Sequence, residues 1–398
     1  MTGVLVAART RALLVLLACT VLLPGRSAAQ SLYSAAGLGL PVGALDARSR
    51  SLGNVGIGLL GSAVLPSDPA AAAGLGVPGA TFTGSPSWVD LGRSDTGEAG
   101  SYQATRFPLM GIAYPAWEAG MLTLTFGSVL DQRYEGTRTS TVELEEGPVV
   151  VTDAFTSTGG VSEVRLSLAR TLGDRVDVGV GVGRYTGSTL RALIRSLEGV
   201  SSEGTVSNFR EGGVWSYSGT SLTGGAAFRF GGVGRVAGSV TWSSDLSAEP
   251  NDTTAATARS FDLPLQLRVG GSALLAPGLL LTASVEQAAW SGVGSDLREG
   301  DAQDATSWGV GLELTRARFF GRAAPLRLGY RSADLPFALT EGGATESAFT
   351  GGLGLSLAGS GPVSLAGFDL AVERGERSEA GIVEEFWRAA LTVRVSGF

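Results

Sequence analysis

Along most of the chain, apolar and polar residues alternate one by one. In "FDLPLQLRVG", Phe261, Leu263, Leu265, Leu267 and Val269 fall on one side, with Asp262, Gln266 and Arg268 on the other. "SWGVGLELT" places Trp308, Val310, Leu312 and Leu314 against Gly309, Gly311 and Glu313, and "RVDVGVGVG" places Val176, Val178, Val180 and Val182 against Arg175, Asp177 and glycines. In "SEVRLSLA" the split is Val164, Leu166 and Leu168 against Glu163, Arg165 and Ser167. A period of two with charges on the minority face predicts strands that are apolar on one side and polar on the other.

Extended along the chain, the pattern predicts fourteen strands, over 78–88, 104–116, 119–132, 158–171, 174–187, 213–230, 233–245, 258–273, 277–291, 304–318, 323–334, 345–357, 362–375 and 384–397. Tight connections such as "WEAG", "LGD", "GGVG", "LAPG" and "SGPV" alternate with long polar ones, the longest at 133–157 and 188–212. Short turns on one side and long loops on the other, around an even strand number, predict an all-β, 14-stranded antiparallel transmembrane β-barrel with both termini on the periplasmic side. In that orientation Trp215, Trp242, Trp290, Trp308 and Trp387 fall at the outer ends of their strands, where an interfacial belt is expected. The chain closes on "FWRAALTVRVSGF", whose terminal aromatic resembles an outer-membrane assembly signal. Phe398 has the opposite parity to Leu391, Val393 and Val395, which a bulge at Gly397 would reconcile.

Composition agrees. Mean hydropathy is +0.22 and only 17% of residues are charged, yet no run of eighteen uncharged apolar residues follows the leader. The sixty glycines run evenly from end to end, and no linker divides the chain. Residues 1–29 read as a signal peptide: Arg9 and Arg11 precede the apolar run "ALLVLLACTVLL", and "SAA" precedes Gln30. Losing that leader removes three arginines and no acids, taking the formal charge from −7 to −10. An acidic exported chain is a poor nucleic-acid binder. The expected divisions are a signal peptide over 1–29, an N-terminal hatch or plug over 30–77 and a barrel over 78–398.

The glycines of "RSLGNVGIGLLGSAVLPSDPAA" (50–71) do not form a phosphate loop, because their order is G-x-x-G-x-G, no strand precedes them and the chain contains no lysine. Arg50, Leu52, Gly53 and Gly56, followed by Ser67-Asp68-Pro69-Ala70, instead resemble the "R-x-L-G-M-G-G-A … N-P-A" signature of the FadL fatty-acid transporter family and its PorV/PorQ relatives. Asn54-Val55 replaces Met-Gly, and Asp68 stands where the family has Asn. The resemblance implies a fourteen-stranded barrel with a luminal hatch, a hydrophobic ligand near the outer loops, and a lateral exit through the wall. "SDPAAAAGLG" offers an N-cap at Ser67 or Asp68, a first-turn proline and then alanines, a short helix start.

Catalysis finds no support. There is no histidine, and Cys19, the one cysteine, belongs to the leader. Catalytic residues, metals and cofactors are expected to be none. Acidic groups in the outer loops, Glu143, Glu145 and Glu146 and then Asp296, Glu299, Asp301 and Asp304, lack the spacing of a calcium loop and read as solvated surface. Inward charges are expected at Glu163, Arg165, Arg175, Asp177, Asp262, Arg268, Glu286, Glu313, Arg327 and Arg331, either as neutralising pairs or as a lining that grips a hatch or a ligand headgroup. Arg50 and Asp68 are the expected hatch contacts, with Arg165, Arg268, Glu313 and Arg327 as ligand or hatch contacts. Two prolines, Pro108 and Pro264, each remove a ladder donor within an expected strand, and Pro108 is the candidate lateral gate.

The expected function is passive movement of hydrophobic or amphipathic small molecules across an outer membrane, in contact with its lipid. The alternative is a PorV-like component of a secretion system whose partners are exported or surface proteins. The apolar residues Val149 to Val151, Phe155, Leu190, Leu193, Ile194 and Leu197 of the two longest loops would favour the first if they lined a pocket.

Overall fold

Alternation becomes a closed ladder in the computed structural model, which describes residues 31–397 except 94–98, 117, 119, 145–146, 199–206, 253, 255, 294–301, 320, 341 and 361–362. The leader expected over 1–29 and the terminal Phe398 lie outside the described residues. Fourteen strands form the wall: β1 Gly79–Arg93, β2 Ala99–Pro115, β3 Met121–Asp131, β4 Gly147–Leu172, β5 Val176–Glu198, β6 Ser207–Arg229 and β7 Gly234–Ser243. They continue with β8 Gln266–Ala276, β9 Leu279–Ala288, β10 Ala305–Leu314, β11 Leu326–Leu335, β12 Ala344–Ser360, β13 Val363–Glu379 and β14 Ile382–Ser396. Each pairs antiparallel with the next, and β14 returns to β1 from Ser396↔Gly79 to Ile382↔Arg93, so the sheet has no edge along that seam. Closure is what lets a sheet cross lipid, because every backbone polar group must find a partner within the wall.

The outward face is apolar. Leu328 is 70% exposed and Phe349 72%, with Leu166, Val180, Val182, Leu222 and Val269 exposed beside them. Side chains of this size turned outward in a continuous band need lipid, not water. Trp88, Trp242, Trp308 and Trp387 are exposed on the same face, and Trp88 lies opposite Trp387 in register. The expected belt changes membership. Trp290 is 3% exposed and turns inward onto Phe337, with ring centroids 5.1 Å apart, and Trp215 is half-buried against an inner apolar cluster. Trp290 lies in a 3-10 turn past the end of β9, where the alternation that would have aimed it at lipid has stopped.

Three further expectations are corrected. Much of 133–157 and 188–212 is strand rather than loop: a strand at Tyr134–Leu144 pairs with β4, and β4–β5 pairing continues to Val150↔Glu198. These stretches rise beyond the tryptophan level and mix apolar with polar side chains on each face, so the alternation is interrupted. The backbone ladder and pairs such as Asp153–Arg195 (2.6 Å) hold them instead. The Arg195 guanidinium, hydrogen-bonded to Asp153, keeps that exposed carboxyl below the usual carboxylate range. Val150, Leu190 and Ile194 are exposed on this panel rather than gathered around a pocket. The eighth strand starts at Gln266, because Pro264 lies in a break over 262–265 and Leu263 turns into the lumen instead of sharing the lipid face of Leu265. Finally, Arg175 lies in an exposed turn and Asp262 in the same break, so neither points inward from a strand.

Residues 31–77 run through the lumen. A short helix, α1 (Ala47–Ser51), starts at Asp46, whose side chain accepts a hydrogen bond from Ser49 N–H, and packs on β11 to β14. The 3-10 helix Pro69–Gly74 packs on the opposite side, against β3 to β6. Asp68 does not cap that helix, because its carboxylate is taken by the wall. Between the two helices the segment lies flat on β8, β10 and β11. Gly53 and Gly58 have φ of +75° and +76°, and a Cβ on Gly53 would lie 2.5 Å from the Val310 carbonyl oxygen. The wall answers with glycines of its own. A Cβ at Gly309 would overlap the Gly53 carbonyl, and one at Gly270 would lie 2.6 Å from the Ile57 carbonyl oxygen.

Candidate functional site

Between this luminal segment and the wall is a cavity of about 230 Å³. Val42, Leu45, Leu65, Leu263 and Trp290 supply apolar surface to it, and Arg106, Glu163, Arg165, Arg268 and Glu286 supply charge. Its outer side is covered by an apolar cluster in which Leu38 of the luminal segment meets Tyr185, Tyr217, Leu246, Trp290 and Phe337.

The sequence-expected residues divide into three groups. Arg50, Asp68, Arg165 and Glu313 join the luminal segment to the wall. Arg50, 2% exposed, bonds Glu373 at 3.1 Å, and Asp68 Oδ1 accepts from Arg235 Nη2 at 3.1 Å while Oδ2 accepts from Gly58 N–H. Arg165 pairs with Glu163 at 2.7 Å and donates to the Pro66 carbonyl at 2.5 Å. Glu313 accepts from Arg48 of α1 at 2.9 Å. Arg327 reaches the segment only through Glu313 (3.4 Å) and is held by Asp369 at 2.7 Å. Arg268 does not touch the segment but pairs along the wall with Glu286 at 2.7 Å and lines the cavity.

Sequence reading missed the larger network on β11 to β14. Glu373 also binds Arg331 and Arg388, both at 3.2 Å, Arg331 binds Glu346, and Arg377 joins Glu346 (2.5 Å) to Glu384 (3.0 Å). The Phe386 ring lies under this group, 4.6 Å from the Arg377 guanidinium and 4.9 Å from that of Arg388. Glu384 in turn accepts from Ser31 Oγ (2.6 Å) and Leu32 N–H (2.5 Å), anchoring the start of the luminal segment. Arg235, the partner of Asp68, was also missed. The one available signal was parity, since Glu384, Phe386 and Arg388 share a face, but in "EEFWRAA" charges flank aromatics on both faces.

A buried ion pair is costly to break, because the surviving charge is left in a low-dielectric setting. Asp68→Ala is therefore expected to cost about 3–5 kcal/mol through the stranded Arg235. Urea unfolding from liposomes would measure this loss, and replacing both Asp68 and Arg235 by apolar residues should recover most of it.

The wall has a weak place. The β2–β3 ladder runs from Pro115↔Met121 up to Leu109↔Gly127 and stops there, one residue from Pro108. On its other side β2 goes on pairing with β1, through an irregularity between Thr83 and Ser85 opposite Pro108. A proline has no N–H to give, so it ends a ladder. Gln103 is the register partner of Trp88, and residues 104–108 lie on the membrane side of that level, so the break faces lipid. Arg106, Ser128 and Val129 connect it to the cavity.

No family model matches the chain, and no curated protein matches it. Solved structures do match. A FadL homologue of Pseudomonas aeruginosa superposes with a TM-score of 0.61 at 12% identity, over 89% of this chain and 99% of that one. The toluene transporter TodX of Pseudomonas putida gives 0.55 at 13% identity over 90% and 98%, and the monoaromatic hydrocarbon channel CymD gives 0.53 at 13% over 89% and 98%. Closed fourteen-stranded wall, lipid-facing band and superposition together establish that this chain has the fold of FadL-type outer-membrane channels.

Proposed function

We propose that the protein is a passive outer-membrane channel for hydrophobic or amphipathic small molecules. In this reading residues 31–77 are its hatch and the break beside Pro108 is its lateral exit. The observation that carries the reading is the cavity, which has apolar walls on the hatch side and continues to a lipid-facing break in the ladder. Arg50, Asp68, Arg165 and Glu313 hold the hatch in place, with Arg327 behind Glu313. Arg268 offers polar contact to a ligand headgroup in the cavity. The matched structures, described as a toluene transporter and a monoaromatic hydrocarbon channel, support the ligand class by analogy of fold. No step of chemistry is needed, and no cofactor is invoked. A hatch occupying the lumen argues against an open porin, and among the described residues no feature of the outer panel favours exported proteins as partners.

Mass spectrometry of protein purified in mild detergent is the direct test. Bound apolar small molecules or lipid should be recovered, and their loss is expected when Leu65 and Leu263 are replaced by Asp. Repeated recovery of no apolar molecule at all would sink the transport reading.

A further inference from the structure

The break in the wall is not left open. Where β2 ceases to pair with β3, the luminal segment itself docks: Leu40 and Pro41 pair antiparallel with Asp131 and Leu130, and Val42 N–H donates to the Val129 carbonyl at 2.9 Å. This two-residue strand covers the β3 edge that β2 has abandoned. It is a weak strand, because Pro41 cannot donate to the ladder and only a few backbone bonds hold it.

A second device spans the same place. Asp131 at the end of β3 accepts from Arg106 Nε of β2 at 2.8 Å and from Arg133 Nη2 at 3.0 Å. Arg133 Nη1 donates to the Thr105 carbonyl oxygen at 2.9 Å. One carboxylate thus holds two guanidinium groups, and one of these satisfies a β2 carbonyl past the end of the β2–β3 ladder. The side chain of Asp131 is tied to β2, and its backbone lies opposite Leu40.

We propose that Leu40–Val42 and the Arg106–Asp131–Arg133 group form one lateral gate: a removable strand of the hatch, latched shut by charge. Detachment of the strand opens the cavity to lipid, so the hatch and the wall open together. This rests on the transport reading for its purpose but not for its test. The latch loses its carboxylate in Asp131→Asn and one clasp in Arg106→Gln. Hydrogen–deuterium exchange on the full mature chain in detergent then reads the Val42 amide. Exchange there is expected to rise on the order of tenfold or more in both variants. Asp177→Asn, which breaks the Asp177–Arg229 pair elsewhere on the wall, should leave it unchanged. An unchanged Val42 amide in both latch variants overturns the latch, and an equal rise in Asp177→Asn reduces it to general loosening.

A second arm pins the strand. In a Cys19→Ser background, Pro41→Cys with Leu130→Cys places thiols on register partners. The oxidised protein should reduce cellular uptake of the apolar dye N-phenylnaphthylamine to the level of cells lacking the protein, and reductant should restore it. Undiminished uptake with the cross-link formed overturns the gate. If the unlinked protein admits no dye at all, the transport reading fails, while the exchange arm still decides the latch.

Discussion

Deleting Gln30–Gly76 is expected to raise single-channel conductance in a planar bilayer from near baseline to that of a wide pore, with the fourteen-strand ladder still closed. The reason is the distribution of partners. Strand closure runs through β1 to β14 and uses nothing from the deleted segment except Leu40–Val42, which cover the β3 edge beside Pro108. Most wall charges keep a wall partner when the segment is gone: Glu373 retains Arg331 and Arg388, Glu384 retains Arg377, and Glu313 retains Arg327. Arg235 loses Asp68, the carboxylate that pairs with it. Removal therefore leaves the strand ladder in place while emptying the lumen of α1 and the 3-10 helix, and the stranded Arg235 faces the water that replaces them. Unchanged conductance from a correctly folded deletion would show that residues 31–77 are not the barrier.

Gly309→Val should produce a milder form of the same result with the segment still attached. A Cβ at Gly309 would overlap the backbone carbonyl of Gly53, an atom that cannot swing aside as a side chain could. Either the wall bows or the segment lifts, and the laddered wall is the stiffer of the two. At about 1–3 kcal/mol for overpacking, the lifted state gains roughly 5–150-fold in population, to be read as more frequent channel openings. Gly224→Val is the control, because a Cβ there meets nothing within 4 Å. Equal behaviour of the two variants would mean that the close approach at Gly53 does not restrain the segment.

These two expectations separate what the chain announces from what it conceals. Strand number, order and polarity were legible because lipid on one side and a polar lumen on the other impose a period of two, as in Val176 to Val182. The same rule failed twice at the outer end of the wall. Above the tryptophan level the strands around 147–157 and 188–198 mix valine, leucine and isoleucine with charged and hydroxyl residues on each face, so they read as loops. At Trp290 the strand has ended, so parity no longer says which way a side chain points. Pro108 was legible as a break because its missing N–H is a local property. That Leu40–Pro41 would cover the break was not, since a two-residue strand leaves no periodic trace.

The candidate site divides in the same way. Arg50 and Asp68 could be chosen from a motif resemblance, but Glu373 and Arg235 could not be chosen as their partners. Arg50 and Glu373 are separated by 323 positions, and Asp68 and Arg235 by 167. Alternation by itself determined that this chain forms a fourteen-stranded wall with lipid outside and charge within, because each residue's face depends only on its immediate neighbours. Which charges meet, where the segment lies flat on glycine, and how the break beside Pro108 is closed were decided by the tertiary structure. Those contacts depend on the register of strands around a closed circumference and on the path of a chain folded back inside it, neither of which any local stretch of sequence contains.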